Sequence, residues 1–201
     1  IEHSMDIEIV HIANAIAAFT IKECTSFDSP FDDYLNGDQY AITPSQKRGM
    51  DLFYGKAKCS TCHSGNLLTD QKFYALAIPQ FGPGRTRRMD PFTRDVGRMG
   101  ESDRIEDIYR FKTPSLRNVT LTSPYGHNGA YPSLEGIVKH HFEPLEMYQN
   151  WDSSMAKLPE APWLKDIDFV VFSDKRETQR LLSRIDIEPI EITEKEIDEI
   201  I

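Results

Sequence analysis

The sequence has few cysteines, no long apolar run and no excess of positive charge. With three cysteines in 201 residues, it lacks the second pair that a structural zinc site usually needs. No apolar run approaches the ~20 residues of a membrane span, and the acidic, polar start does not resemble a signal peptide. A net charge of −9 argues against nucleic acid as a partner. We therefore expect a soluble, acidic domain.

Two of the three cysteines belong to one motif, Cys59-Ser60-Thr61-Cys62-His63. C-x-x-C-H is the attachment signature of c-type haem. Two thiols on one turn can each form a thioether to a haem vinyl group, and the histidine that follows can bind the iron as its proximal ligand. A thioredoxin-like dithiol would follow a strand and need no histidine. We predict haem c bound by Cys59, Cys62 and His63, and hence a periplasmic or equivalent exported location.

Helical patterns lie on both sides of the motif. Apolar residues recur at helical spacing from Met5 to Ile16, which predicts an amphipathic helix near residues 5–19. Thr43-Pro44-Ser45-Gln46 resembles an N-cap with a capping box, and Gly55 is placed to end that helix. Cys24, the third cysteine, is predicted to be a small buried residue.

After the motif, residues 79–104 show no sustained period and predict a long loop, which we expect to wrap the haem edge. Residues 133–142 look helical, and Thr193 with Glu196 predicts the start of a last helix. The predicted fold is mainly α, a cytochrome c-like haem domain with long irregular loops. Residues 1–42 would form a lead-in helix and loop that pack on a c-type cytochrome domain of residues 43–201.

The residue at the sixth coordination position of the iron would set its chemistry. One helical stripe has four members at i, i+3, i+4 and i+7: Leu134, Ile137, Val138 and His141. His141 thus points toward the expected haem, whereas His140 is rotated by about 100°. We favour His141 as distal ligand, with Met147, Met99 and an open or water-bound iron as the alternatives. Two histidine ligands would suit electron transfer better than peroxide binding.

A longer stretch carries a family resemblance. The string from Phe111 to Gly129, FKTPSLRNVTLTSPYGHNG, resembles the hallmark of bacterial dihaem cytochrome c peroxidases and their relative MauG. The Asp95-Val96-Gly97-Arg98 element and the approach from Asp28 to Asp38 resemble the same family. The resemblance covers most of the chain and is to the C-terminal half of the family, which implies the electron-transfer haem domain of an oxidoreductase.

The resemblance also implies roles for individual residues. His141 falls where the peroxidases have a methionine ligand and MauG a tyrosine ligand. Thr122 and Pro124 match residues whose backbone carbonyls bind calcium between the two haem domains, although they could simply form a turn. His127 matches a histidine near the domain interface, which would support the site without binding iron. Arg117 would pair with a haem propionate or with a backbone carbonyl.

The other half of the family, with its own C-x-x-C-H motif and peroxide-reacting haem, has no counterpart in this sequence. We expect a fragment of a dihaem protein or one subunit of a split one, cut within a helix at Ile201. Its partners would be a second haem domain or subunit, in a homodimer or heterodimer, and a small electron-donor protein (a cytochrome c or copper protein) or a protein substrate. The alternatives are a free-standing monohaem cytochrome c that carries electrons and, third, an oxygenase of the same superfamily.

Overall fold

The computed structural model describes residues 7–23 and 25–201, except for the side chain of Thr86. Met5, where the first predicted helix begins, and Cys24, predicted to be a buried residue, lie outside the described residues. The chain divides into two compact units, Ile1–Lys47 and Arg48–Ile201.

Helices dominate the described chain. In chain order they are α1 (Ile9–Glu23), α2 (Pro30–Leu35), α3 (Pro44–Tyr54), α4 (Pro83–Thr86), α5 (Met99–Ser102), α6 (Leu134–Phe142), α7 (Pro144–Gln149), α8 (Lys165–Asp168), α9 (Val170–Ser173), α10 (Lys175–Leu182) and α11 (Glu194–Ile200). Two short strands, β1 (Phe73–Tyr74) and β2 (Phe111–Lys112), pair antiparallel, with Phe73 opposite Lys112. This mainly α architecture with irregular connections confirms the predicted fold class.

Helix α1 forms much of the first unit, and every one of its residues is exposed. The sequence predicts a helix over residues 5–19, whereas the observed one continues to Glu23. Its apolar side chains are open to solvent, with Ile16 61% and Phe19 62% exposed. Helix α2 begins with a capping box, in which the side chains of Ser29 and Asp32 accept each other's backbone N–H.

Helix α3 begins as the sequence predicts. The Thr43 hydroxyl accepts the Gln46 N–H at 3.2 Å, and the Gln46 side-chain oxygen accepts the Thr43 N–H at 2.8 Å. The backbone N–H groups of Thr43 and Gln46 are therefore both satisfied by side chains. The helix ends at Tyr54, directly before Gly55, which confirms both predicted boundaries.

Buried side chains form three clusters in the second unit. In the first, the Trp151 cluster, the Trp151 ring stacks on Phe81 with centroids 5.5 Å apart, and its N–H donates to the Ala130 carbonyl at 2.9 Å. The second cluster consists of Ala75, Ala77, Tyr109, Tyr148 and Leu181. The third, the Phe142 cluster, joins Ala57, Phe142 and Ile197, and Cys59 and Val138 pack against it.

The third cluster connects the last helix to the region of the haem motif. Thr193 and Glu196 form the predicted capping box at the start of α11, and Ile197 of this helix is buried beside Phe142 of α6. Ile192, just before the cap, packs against the same cluster. The C-terminal helix therefore packs on the helix that carries His141.

The segment 79–104 is irregular apart from α4 and α5. It is anchored by Arg85, whose guanidinium donates two hydrogen bonds, of 2.6 and 2.7 Å, to the buried carboxylate of Asp168. Phe81 anchors it further in the Trp151 cluster. That this segment wraps the haem edge stays a prediction. None of the helices in the described parts of the chain is long and apolar enough to cross a membrane.

Candidate haem site

The two motif cysteines lie on a single tight turn. Residues Cys59–Thr61 form one 3-10 turn, and the N–H groups of Cys62 and His63 both donate to the Cys59 carbonyl, at 3.3 and 2.9 Å. Both thiols are half-buried and neither forms a disulfide. Burial raises the pKa of Cys59 to about 11, so this group is a protonated thiol at neutral pH. The turn thus presents two reduced thiols at the spacing that two thioether bonds require.

The His63 ring is oriented by a backbone contact. Its Nδ1 lies 3.2 Å from the Leu68 carbonyl oxygen, and since a carbonyl can only accept, Nδ1 carries the proton. In the neutral ring the lone pair then lies on Nε2, and the Pro114 backbone is a second hydrogen-bond partner of this side chain. Burial lowers the pKa of His63, which favours the neutral imidazole that a metal ligand must be.

His141 shows the same arrangement on α6. Its Nδ1 lies 2.8 Å from the Ile137 carbonyl oxygen, one turn earlier in the helix. Burial, and secondarily the charge of His63, lower the pKa of His141. The two rings are neighbours, with centroids 6.3 Å apart and planes at 59°. Two neutral imidazoles, each with Nδ1 held by a carbonyl, thus stand opposite one another.

This separation fits two axial ligands of one metal. Since a metal–imidazole bond is about 2 Å, two such rings on opposite sides of a metal have centroids roughly 6 to 6.5 Å apart. Within the described residues, no three His, Cys, Asp or Glu side chains come together as a metal-binding group. The pair would therefore need a group that brings its own remaining ligands, as a porphyrin does. The thiols and imidazoles of this site fit haem c.

His140 is built differently from its neighbour. It is wholly buried, with Nε2 at 2.6 Å from the Leu76 carbonyl oxygen and Nδ1 at 2.7 Å from the Tyr131 hydroxyl. Both ring nitrogens are engaged, so no lone pair remains for a metal. Met147 packs against the Trp151 cluster, and the identity of the distal ligand stays a prediction. Sequence reasoning missed Tyr131, because no local pattern links it to a histidine nine residues later.

Arg117 contacts the haem-binding segment through the backbone. Its Nε donates to the Asn66 carbonyl at 2.8 Å, which is the backbone contact that the sequence leaves open for this residue. A second bond joins the same two segments, from the Thr69 hydroxyl to the Thr113 carbonyl at 2.7 Å. The segment that begins at Phe111 therefore packs along the residues that follow His63, and the propionate contact of Arg117 stays a prediction.

His127 connects the segment that begins at Phe111 with the Asp95-Val96-Gly97-Arg98 element. Its ring stacks on Phe111, with centroids 3.4 Å apart, and its Nε2 lies 3.1 Å from the Asp95 carboxylate. Although desolvation opposes it, the hydrogen bond with His127 holds the pKa of Asp95 below its usual range. Asp95, a residue to which the sequence assigns no role of its own, is thus the partner of His127.

Thr122 and Pro124 lie in an exposed turn that follows the 3-10 turn Val119–Leu121. Their backbone carbonyl oxygens accept no hydrogen bond from the described residues. The calcium site that the family resemblance implies here stays a prediction.

The motif turn, the facing imidazoles and the mainly α fold define a c-type haem domain. Cytochrome c peroxidase Ccp of Escherichia coli (strain K12) is 42% identical over 130 residues, which are 64% of this chain and 26% of that protein. Methylamine utilization protein MauG of Methylophilus methylotrophus is 30% identical over 165 residues, 80% of this chain and 45% of that protein. No protein-family model matches the chain.

Solved structures show the same fold. A MauG-like protein associated with microbial copper homeostasis superposes with a TM-score of 0.61 at 25% identity, over 99% of this chain and 57% of that one. The dihaem peroxidase BthA of Burkholderia thailandensis gives a TM-score of 0.59 at 22% identity, over 89% of this chain and 46% of that one. The chain belongs to the bacterial cytochrome c peroxidase and MauG family of haem oxidoreductases. It spans about a third of the length of the first curated relatives it matches.

Proposed function

We propose that this chain is the electron-transfer haem c domain, the C-terminal half, of a dihaem peroxidase or MauG-like oxidoreductase. The observation that supports this role is the pair of imidazoles on His63 and His141, 6.3 Å apart. Each has its Nδ1 beside a backbone carbonyl, which places the lone pair of the neutral ring on Nε2. Cys59 and Cys62 would hold the haem covalently, with His63 as proximal and His141 as distal ligand.

Bound haem would supply an iron that takes up and releases single electrons. His63 and His141 would hold the iron through neutral nitrogens, because burial favours the uncharged form of both rings. With both histidines bound, peroxide would be kept from the iron. On this proposal the chain relays electrons, and none of its residues acts as a proton-transfer catalyst.

The main partner in this proposal is a second haem domain or subunit that reacts with peroxide. The chain covers only 46% of the dihaem peroxidase BthA, which leaves room for such a domain. Helix α1 would be part of the contact with this domain. It exposes apolar side chains such as Ile9 and Ile21, at 79% and 71%, and large exposed apolar patches usually mark an interaction surface. The second domain would belong to the same chain or to the other subunit of a homodimer or heterodimer.

The second partner in this proposal is a separate protein that exchanges electrons with the assembly. It would be a small electron-donor protein, either a cytochrome c or a copper protein, or else a protein substrate. A net charge of −9 suits steered encounter with a basic partner. Because haem attachment needs exported, reduced thiols, the proposed compartment is the periplasm or its equivalent.

Calcium is the second proposed cofactor. Thr122 and Pro124 are exposed residues whose carbonyls accept no hydrogen bond from the described residues, and carbonyl oxygens suit calcium. Two carbonyls are far fewer than the roughly 6–8 ligands calcium takes, so the second haem domain and water would supply the others. We expect calcium to raise the unfolding temperature of the two-domain assembly and a chelator to lower it. An unfolding temperature that calcium leaves unchanged would contradict this site.

Low-temperature EPR of the ferric haem protein tests the ligand assignment. We expect a low-spin signal with two imidazole ligands that becomes high-spin in His141→Ala. The matched control is His11→Ala, which removes an exposed histidine of α1 and should leave the signal unchanged. A high-spin signal in the unsubstituted protein that His141→Ala does not alter would overturn the relay proposal.

Peroxide turnover separates the relay from the alternative, a free-standing electron carrier. With a reduced cytochrome or copper-protein donor, we expect rapid turnover from the two-domain assembly and little from this chain alone. If the chain at its native length carries a single haem and no partner restores turnover, the carrier alternative replaces the proposal.

A further inference from the structure

We propose that Tyr131 positions the distal imidazole of His141, acting through the ring of His140. This inference rests on the proposed role of His141 as an iron ligand. His140 lies in the last turn of α6, directly before His141, and is fully buried, as is Tyr131, at 1% exposure. A buried tyrosine–histidine pair next to a candidate ligand is well placed to control how that ligand is held.

The His140 ring is fixed at both ends. Its Nε2 lies 2.6 Å from the Leu76 carbonyl oxygen, and because a carbonyl only accepts, Nε2 carries the proton. Its Nδ1 is then an acceptor, and the Tyr131 hydroxyl donates to it at 2.7 Å. Tyr131 is itself held by two backbone bonds with Tyr125, of 2.7 and 3.1 Å. The ring can therefore not turn without breaking a buried hydrogen bond.

This clamp orients the next residue of the helix. Successive residues of an α-helix are about 100° apart, so fixing the direction of His140 also fixes the direction in which His141 leaves α6. Leu76 lies two residues after β1, on the stretch of chain that continues from His63. The bond to Leu76 therefore ties α6 to the segment that carries the proximal ligand, and the separation of the two imidazoles depends on it.

If the hydrogen bond between Tyr131 and His140 were purely structural, the expected result would be different. Its loss would lower the stability of the domain and leave the iron unchanged. If Tyr131 positions His141, its loss also weakens the attachment of the distal imidazole. Losing one neutral buried hydrogen bond shifts an equilibrium by roughly five-fold. That shift should appear in the competition between His141 and an added ligand for the distal position.

Cyanide binding to the ferric haem protein measures this competition, because cyanide must displace His141. We expect Tyr131→Phe to lower the cyanide Kd roughly five-fold. The control is Tyr148→Phe, which removes another buried hydroxyl, bonded to Thr178 at 3.2 Å, and should leave the Kd unchanged. His140→Gln is a second variant that keeps an amide donor for the Leu76 carbonyl and loses the ring nitrogen that accepts from Tyr131. It should lower the Kd in the same direction.

The outcomes separate the two proposals. A lower cyanide Kd in Tyr131→Phe and His140→Gln, with Tyr148→Phe unchanged, supports the positioning role. If neither variant differs from Tyr148→Phe while His141→Ala binds cyanide much more tightly, the positioning role is wrong and the ligand assignment stands. If His141→Ala leaves cyanide binding unchanged, His141 is not the ligand and both proposals fail together.

Discussion

Replacing Gly49 by alanine tests how closely α11 must approach α3. Gly49 lies within α3, and a Cβ added there would overlap the backbone carbonyl oxygen of Glu199 and lie 3.0 Å from its carbonyl carbon. The obstacle is backbone, which cannot rotate away as a flexible side chain could. Either the contact is compressed or α11 moves outward.

Two effects of this substitution oppose each other. Alanine improves the intrinsic helix propensity of α3 by about 1 kcal/mol. Compressing a packed contact costs about 1–3 kcal/mol, and moving α11 away would instead expose Ile197, whose buried side chain is worth about 2 kcal/mol. The net expectation is a loss of about 1 kcal/mol, because a typical cost of about 2 kcal/mol exceeds the propensity gain. For a chain of this size that corresponds to a Tm about 2–4 °C lower.

Thermal unfolding followed by far-ultraviolet circular dichroism measures the loss. The control is Gly100→Ala in α5, where an added Cβ meets only a Val96 methyl at 3.7 Å, an ordinary contact. It should be as stable as the unsubstituted protein or more so. If Gly49→Ala matches Gly100→Ala in Tm, α11 does not need the close approach and the packing argument is wrong.

Two further predictions concern ion pairs. Asp168→Asn should lower the unfolding free energy in urea by about 3 kcal/mol, because the mostly covered guanidinium of Arg85 loses the buried carboxylate that pairs with it; an unchanged urea midpoint would contradict this. Hydrogen bonds from Lys56, and then from the Thr193 N–H, lower the pKa of Glu196 to about 2. A depressed carboxyl pKa stabilises the fold above the ordinary value of 4.5 and loses this effect as pH falls through about 2. Glu196→Gln should therefore lose less stability than the unsubstituted protein between pH 4.5 and 2 in acid unfolding, and identical acid profiles would refute the assignment.

The starts of α3 and α11 were predictable from the sequence, because helix capping involves only residues that are neighbours in the chain. Thr43 with Gln46, and Thr193 with Glu196, satisfy backbone donors within three residues, so no other part of the fold has to be known. Both capping boxes are present. The bounds of α1 were less accurate. The side chain that bonds its first turn is His11, which accepts the Glu8 N–H and is not a usual capping residue, and none of the helix's residues is buried.

The burial of α6 could not be predicted from its apolar stripe. The stripe places His141 toward the core and His140 away from it, yet His140 is the fully buried one. The reason is that α6 is covered on more than one side: Ile137 packs against the Trp151 cluster and Val138 against the Phe142 cluster. Periodicity identifies one apolar face and cannot show that a polar residue on another face is buried and fully hydrogen-bonded.

The two histidines of α6 nevertheless differ in more than burial, and this difference bears on the distal ligand, for which His141 stays a prediction. A histidine with both ring nitrogens engaged, as in His140, is excluded as a ligand however close it lies to the metal. A histidine whose Nδ1 donates to a carbonyl of its own helix, as in His141, has Nε2 as the nitrogen that could bind a metal. This holds whether the ring is buried or exposed. The apolar stripe predicted the direction in which the His141 side chain leaves α6. The contact with the Ile137 carbonyl one turn earlier determines which nitrogen of the ring carries the proton. The bonds of His140 to Leu76 and Tyr131 and the position of the His63 ring all required the fold.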